Sequence, residues 1–233
     1  EEETNEELIT EVNFEEAKFA PFVEPDFPFI TTSMDGRNLG PGFPKDNIAS
    51  RCIAIQLGDG AYACFDTDML RWSVAWTGDF LPMVTMAQIS YNDFHMKDNE
   101  LPIIGGDIKI ATGLYPGWGG AKPIFDDPRP PGPNPDGPAW GALPVEFGRW
   151  NGIYLVGDEV VMSYMVQDTE IFEKPGSISL QEEVGFTRTF QIENSDKPLS
   201  MVAAEVSDAS HIGIEGNITF IYNAEGDSLT GFG

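Results

Sequence analysis

Within fifteen residues, from Phe65 to Asp79, the chain gathers Asp66, Asp68 and Asp79 with Arg71, Trp72 and Trp76. Three carboxylates, one guanidinium and two indoles at this spacing allow two kinds of chemistry. One is a ligand surface, where sugar rings stack on flat apolar planes and carboxylates accept hydroxyl hydrogens. The other is a buried Asp-Arg knot packed under tryptophans, in which Asp66 and Arg71 form a structural ion pair. A buried pair must be hydrogen-bonded at most of its atoms, because isolated charge inside a protein is costly. We expect the second arrangement for Asp66 and Arg71, both at least half buried.

Elsewhere, chemistry-bearing residues are sparse. Trp118 and Trp140 lie in a Pro/Gly-rich stretch and, with Trp72, are the candidate ligand-stacking residues, whereas Trp76 and Trp150 sit in strand-like contexts that point to the core. Asp126, Asp127 and Asp136 lie on the same stretch, where free carbonyls and hard oxygen ligands suit calcium, although no EF-hand spacing is present. The two histidines, His95 and His211, have no nucleophile elbow beside them, so a Ser/His/Asp triad has no sequence support. Two His and two Cys at these spacings do not make a zinc finger. Carboxylate pairs for glycoside hydrolysis carry little weight in a chain with 38 acids, which will pair by chance. No catalytic residue is assigned, and an interaction role ranks ahead of an enzymatic one.

Short strands must position these groups. Ile53, Ile55 and Leu57 alternate on one face, then Gly58-Asp59-Gly60 turns into Ala61 to Asp66. A three-residue loop there pairs Cys52 with Asp66 and Ala54 with Cys64, so the sulfurs do not face each other. A two-residue loop sets them on different faces, and a disulfide requires a bulge. Gly152 to Val156, Gly157-Asp158 and Val160 to Gln167 read as a second hairpin, with Val160, Met162, Tyr164 and Val166 inward. Gly185 to Glu193 puts Arg188 on the face of Phe186, Phe190 and Ile192, where the guanidinium needs a carboxylate or carbonyl partner. Met201 to Val206 and Ile218 to Asn223 are further strands. Helical signals are confined to Asn13 to Phe19 and to a turn over Thr67 to Trp72 capped by Asp66 or Thr67. This pattern predicts an all-β antiparallel β-sandwich over residues 21–233. Residues 1–20 form an acidic flexible tail. Residues 113–144 make a long Pro/Gly-rich loop excursion, ordered over the sandwich, because Trp118, Phe125 and Trp140 are unusual in a disordered linker.

Composition sets the outer bounds. Gly 25 and Pro 18 make about a fifth of the 233 residues, well above the usual ~12%, which fits turn-rich β architecture. The net charge of −25 repels phosphate backbones and so argues against nucleic acid as a partner. It suits a saline or extracellular setting, or docking to a basic partner. No apolar run is long enough for a transmembrane helix. The first residue, Glu1, is what a processed, exported chain or a shortened one shows. CxxCH is missing from this sequence, so no covalent c-type haem is expected on it.

Four stretches, Asn47-Ile-Ala-Ser-Arg-Cys-Ile-Ala-Ile, Phe65-Asp-Thr-Asp-Met-Leu-Arg-Trp, Ala75-Trp-Thr-Gly-Asp-Phe and Trp150-Asn-Gly-Ile-Tyr-Leu-Val-Gly-Asp-Glu-Val-Val-Met-Ser-Tyr, carry a resemblance that runs from about Asn47 to about Asp208. Together they resemble an uncharacterised domain of large exported bacterial proteins. In that family the domain stands ahead of a sugar-dehydrogenase-like propeller and a c-type cytochrome module. The family usually has Arg-Gly where this chain has Arg51-Cys52. The resemblance implies a periplasmic or extracellular location. It implies a non-catalytic interaction or structural module of a redox assembly, with other exported proteins, a c-type cytochrome among them, as partners. The alternative function is a carbohydrate-binding or polysaccharide-processing domain.

Overall fold

The computed structural model describes residues 27–81, 104–132, 139, 141–180, 183–207, 209–222, 224–226 and 228–232. The acidic tail, the helical turn expected at 13–19, His95, Asp136 and Trp140 lie outside these residues. The protein is all-β, with no helix among the described residues. None of its described segments is a helix long and apolar enough to cross a membrane.

Five strands form one antiparallel meander: β1 (Phe29–Asp35), β2 (Ile48–Gly58), β3 (Ala61–Asp66), β4 (Arg71–Asp79) and β5 (Gly105–Ala111), in that spatial order. Four more form a second meander: β7 (Gly148–Val156), β8 (Glu159–Val166), β9 (Thr169–Leu180) and β10 (Glu183–Ile192). A short pair joins β6 (Trp118–Gly119) to β11 (Ser200–Met201), and β12 (His211–Glu215), β13 (Ile218–Tyr222) and β14 (Ser228–Phe232) make a three-stranded sheet.

The period-two pattern decides how the large sheets meet. Ile53, Ile55, Phe65 and Trp72 from the first sheet pack with Val160, Met162, Tyr164, Val166 and Ile171 from the second in one buried layer. This is the interior of an antiparallel sandwich. The opposite face of the first sheet is buried too, through Met34, Cys52, Ala54, Cys64, Val74 and Trp76. Trp72 and Trp76 are four residues apart, a spacing that in a regular strand points both to one side. They fall in different layers because the β3–β4 register shifts between Cys64/Val74 and Phe65/Trp72. A bulge at Ser73 resets the alternation.

The first hairpin combines both alternatives weighed from sequence. Asp59 and Gly60 form a two-residue loop with φ of 53° and 67°, the left-handed pair that such a turn requires. A bulge between Gln56 and Gly58 restores the register, so Cys52 faces Asp66 and Ala54 faces Cys64. Both thiols are free and buried in the same layer. Burial, and then the neighbouring Cys64, push the Cys52 thiol well above its ordinary range.

Two expectations are corrected. The predicted strand at 201–206 is a ladder only at Ser200–Met201. Beyond it, Val202 N–H donates to Gly117 O and Glu205 N–H to Ala111 O, so the segment changes partner instead of following one neighbour. The turn after Asp66 does not lengthen into a helix, because Leu70 adopts φ 52° and Arg71 enters β4.

Candidate functional site

The sequence Asp66-Thr-Asp-Met-Leu-Arg71 folds back on itself at the β3–β4 turn. Asp66 Oδ1 accepts the N–H groups of Asp68 and Met69 at 3.0 and 3.2 Å, and Oδ2 accepts Arg71 Nε at 3.2 Å. The Arg71 fork continues to Asn47 Oδ1, Thr112 O, Thr112 Oγ1 and Ile48 O at 2.8–3.0 Å. Asp66 and Arg71 are each 1% exposed. Burial pushes the Asp66 carboxyl above its usual range, opposed by Arg71 and by the two turn N–H groups. Asn47 Nδ2 also donates to Ser73 O, which fixes the bulge of β4. One guanidinium therefore ties together the start of β2, the β3–β4 turn and the end of β5. Arg51 extends the knot outward through Asp68 at 2.5 Å.

The residues adjoining the knot form a cleft of about 520 Å³ lined by Asp46, Gly113, Tyr115, Phe125, Val202, Ala204, Glu205 and Val206. Asp46 precedes the knot residue Asn47, and Gly113 follows Thr112. Glu205 Oε2 accepts Gly113 N–H at 3.1 Å and the Tyr115 hydroxyl at 2.8 Å. Burial, and then this bond to Glu205, raise the Tyr115 phenol far above its ordinary range. A Cβ at position 113 would stand 2.8 Å from Tyr115 Cε1 and 3.2 Å from both Asp46 Oδ1 and Glu205 Oε2. Glycine thus leaves room for the Tyr115 ring and both carboxylates to approach the backbone here. Phe125 lies edge-on to Tyr115, with centroids 5.2 Å apart, and remains 64% exposed. A second cleft of similar volume, between β2 and β9, is lined by Gln56, Glu159, Lys174, Ser177 and Thr189, with Lys174 bound to Glu159.

The tryptophan candidates need correction. Trp72 is 1% exposed and donates Nε1–H to Glu173 Oε1 at 2.8 Å. Trp118 is 6% exposed and donates to the Tyr164 hydroxyl at 3.2 Å. Neither ring face is open to a ligand, because short β6 pairs with β11 and draws Trp118 into the interior. Among the described rings of that loop, Phe125, a poorer stacking residue by type, is the exposed one.

Glu173 is a buried residue that sequence reasoning missed. It is fully enclosed and accepts Trp72 Nε1, Tyr164 OH, and Arg188 Nε and Nη2. Arg188 therefore points inward as its alternation implied, and its guanidinium stacks 5.1 Å from the Trp72 ring centroid and 5.2 Å from that of Phe190. Burial, and then Glu173, push the Tyr164 phenol well up. The signal for Glu173 was its place two residues after buried Ile171, opposite the strand of Arg188.

Asp127 is committed to Arg129, which it binds through Nε and Nη2 at 2.8–3.2 Å, while Asp126 is exposed. Among the described residues no three His, Cys, Asp or Glu side chains come together as metal ligands. His211 stacks on Tyr222 at 4.9 Å in the three-stranded sheet.

The molecule so defined is an antiparallel β-sandwich with a buried Asp-Arg knot and, next to it in sequence, an acidic, aromatic cleft. A family model described as a domain of unknown function, DUF6797, matches residues 63–173, just under half of the chain. That span holds Asp66, Arg71, Gly113, Tyr115 and Glu173, but stops short of Asp46, Arg188 and Glu205. No curated protein and no solved structure matches the chain.

Proposed function

We propose that this chain is a non-catalytic interaction module that docks to a basic protein in an exported, cytochrome-associated assembly, periplasmic or extracellular. The observation that carries the reading is charge: −25 over 233 residues, with a cleft where two carboxylates converge. Such a field attracts cationic partners and repels polyanions. The cleft offers hydrogen-bond acceptors and aromatic edges but no nucleophile held by a base among the described residues. The resemblance to domains fused to haem modules supplies the partner class. Capture from a periplasmic or culture-fluid extract at low and high salt tests it. Recovery of a basic protein, lost at high salt, is the expected result; recovery of nothing at low salt contradicts it.

A carbohydrate-binding role is the second reading, favoured by Tyr115 and Phe125 beside Asp46 and Glu205 in one cleft. Aromatic edges with acceptors suit sugar hydroxyls. A glycan-array signal abolished by Phe125→Ala, without salt-sensitive protein capture, would favour this role over docking.

A further inference from the structure

Resting on the docking reading, the geometry points to a defined seat: the cleft of Asp46, Gly113, Tyr115, Phe125 and Glu205 receives one lysine or arginine side chain of the partner protein. The cleft, of about 520 Å³, falls within the usual size of small-ligand sites, ~300–1,000 Å³. Its lining holds two exposed carboxylates, and among the described residues neither Asp46 nor Glu205 has a salt-bridging cation. Arg71 is already committed to Asp66, Asn47, Ile48 and Thr112. The N–H of Gly113 and the hydroxyl of Tyr115 both donate to Glu205 Oε2, which fixes the carboxylate in place before any ligand arrives.

The walls match the rest of such a side chain. Val202, Ala204 and Val206 offer apolar surface to a methylene stem. Phe125 stands 64% exposed at the rim, held edge-on against Tyr115, where a cation within ~6 Å of a ring centroid is attracted by its π face. A neutral sugar would meet the acceptors but gain nothing from the two negative charges of the cleft. A cation answers both.

The test uses the full chain labelled with ¹⁵N and titrated with Nα-acetyl-lysine methylamide, with methyl glucoside as the neutral comparison. The seat predicts saturable shifts centred on the Gly113 amide and on residues 202–206 with the lysine probe. Glu205→Gln and Asp46→Asn, which keep size and one acceptor oxygen but remove the charge, should each weaken binding about tenfold, and Phe125→Ala several-fold. Asp107→Asn, an exposed acid on β5, should leave it unchanged. Absence of shifts at Gly113, equal weakening by Asp107→Asn, or response to the glucoside alone would overturn the seat. Thermal melts of each variant exclude simple unfolding. The two readings separate cleanly. Salt-sensitive protein capture that survives Glu205→Gln with Asp46→Asn defeats the seat and leaves docking standing. Lysine shifts at Gly113 without any protein capture defeat docking and leave the seat.

Discussion

Arg71 satisfies acceptors on three separate stretches of chain, and its burial makes it the residue on which the site most depends. Arg71→Ala strands Asp66 inside the protein, and losing one partner of a buried pair costs about 3–5 kcal/mol. A sharply lower melting temperature is expected, and Arg71→Lys should recover little of it because one ammonium cannot reproduce a planar fork. A variant melting like the parent would place the knot at the surface. The pairing of Asp66 with Arg71 was legible from their spacing; the roles of Asn47 and Thr112 were not, since they lie 24 and 41 residues from Arg71. Two phenols give a pH signature. Tyr115 and Tyr164 are both raised above their ordinary value, by burial first and then by Glu205 and Glu173. An unfolded tyrosine ionises near pH ~10. Their contribution to stability is therefore complete below that pH and is lost as pH rises beyond it. Alkaline titration followed by tyrosinate absorbance and circular dichroism should show these two ionising only as the β signal collapses. Normal titration of all six tyrosines with the fold intact would refute the burial argument.

At the scale of elements, the alternating strands were readable because period two survives wherever one face is apolar, as in Val160 to Val166. The bulges were not. Nothing in Arg-Trp-Ser-Val-Ala-Trp marks Ser73 as the residue that sends Trp72 and Trp76 into different layers, since a bulge arises from pairing with another strand. Trp118 misled for a similar reason: its burial depends on Ser200 and Met201, far along the chain. Gly117 joins these pieces, donating to Met69 O and accepting from Val202 N–H. A Cβ there would press on Leu70 O and stand 2.7 Å from Arg71 Cα, backbone atoms that cannot yield. Gly117→Ala should destabilise by about 1–3 kcal/mol, the usual range for overpacking, read from urea midpoints. Glu173→Ala should cost more, about 3–5 kcal/mol, because it strands Arg188 between the sheets and frees the Trp72 and Tyr164 donors. A denaturation midpoint unmoved by Glu173→Ala would mean that water replaces the carboxylate there.

For the whole molecule, the sandwich supplies a rigid frame, the knot fixes one end of it, and the excess of carboxylates supplies the long-range field. The cleft itself could not have been found from sequence, because Asp46, Gly113, Phe125 and Glu205 are adjacent only after the chain returns along Val202 to Glu205. The central claim is that this field steers a basic partner onto the protein. Stopped-flow association with a cationic c-type cytochrome, measured across ionic strength, tests it most directly. Complementary fields are screened within ~10 Å at 0.1 M salt, and steered encounters lose rate steeply under such screening. The expected association rate falls by about tenfold or more between low and near-physiological salt, with much smaller change in the dissociation rate. A rate that is flat or rises with salt would contradict it.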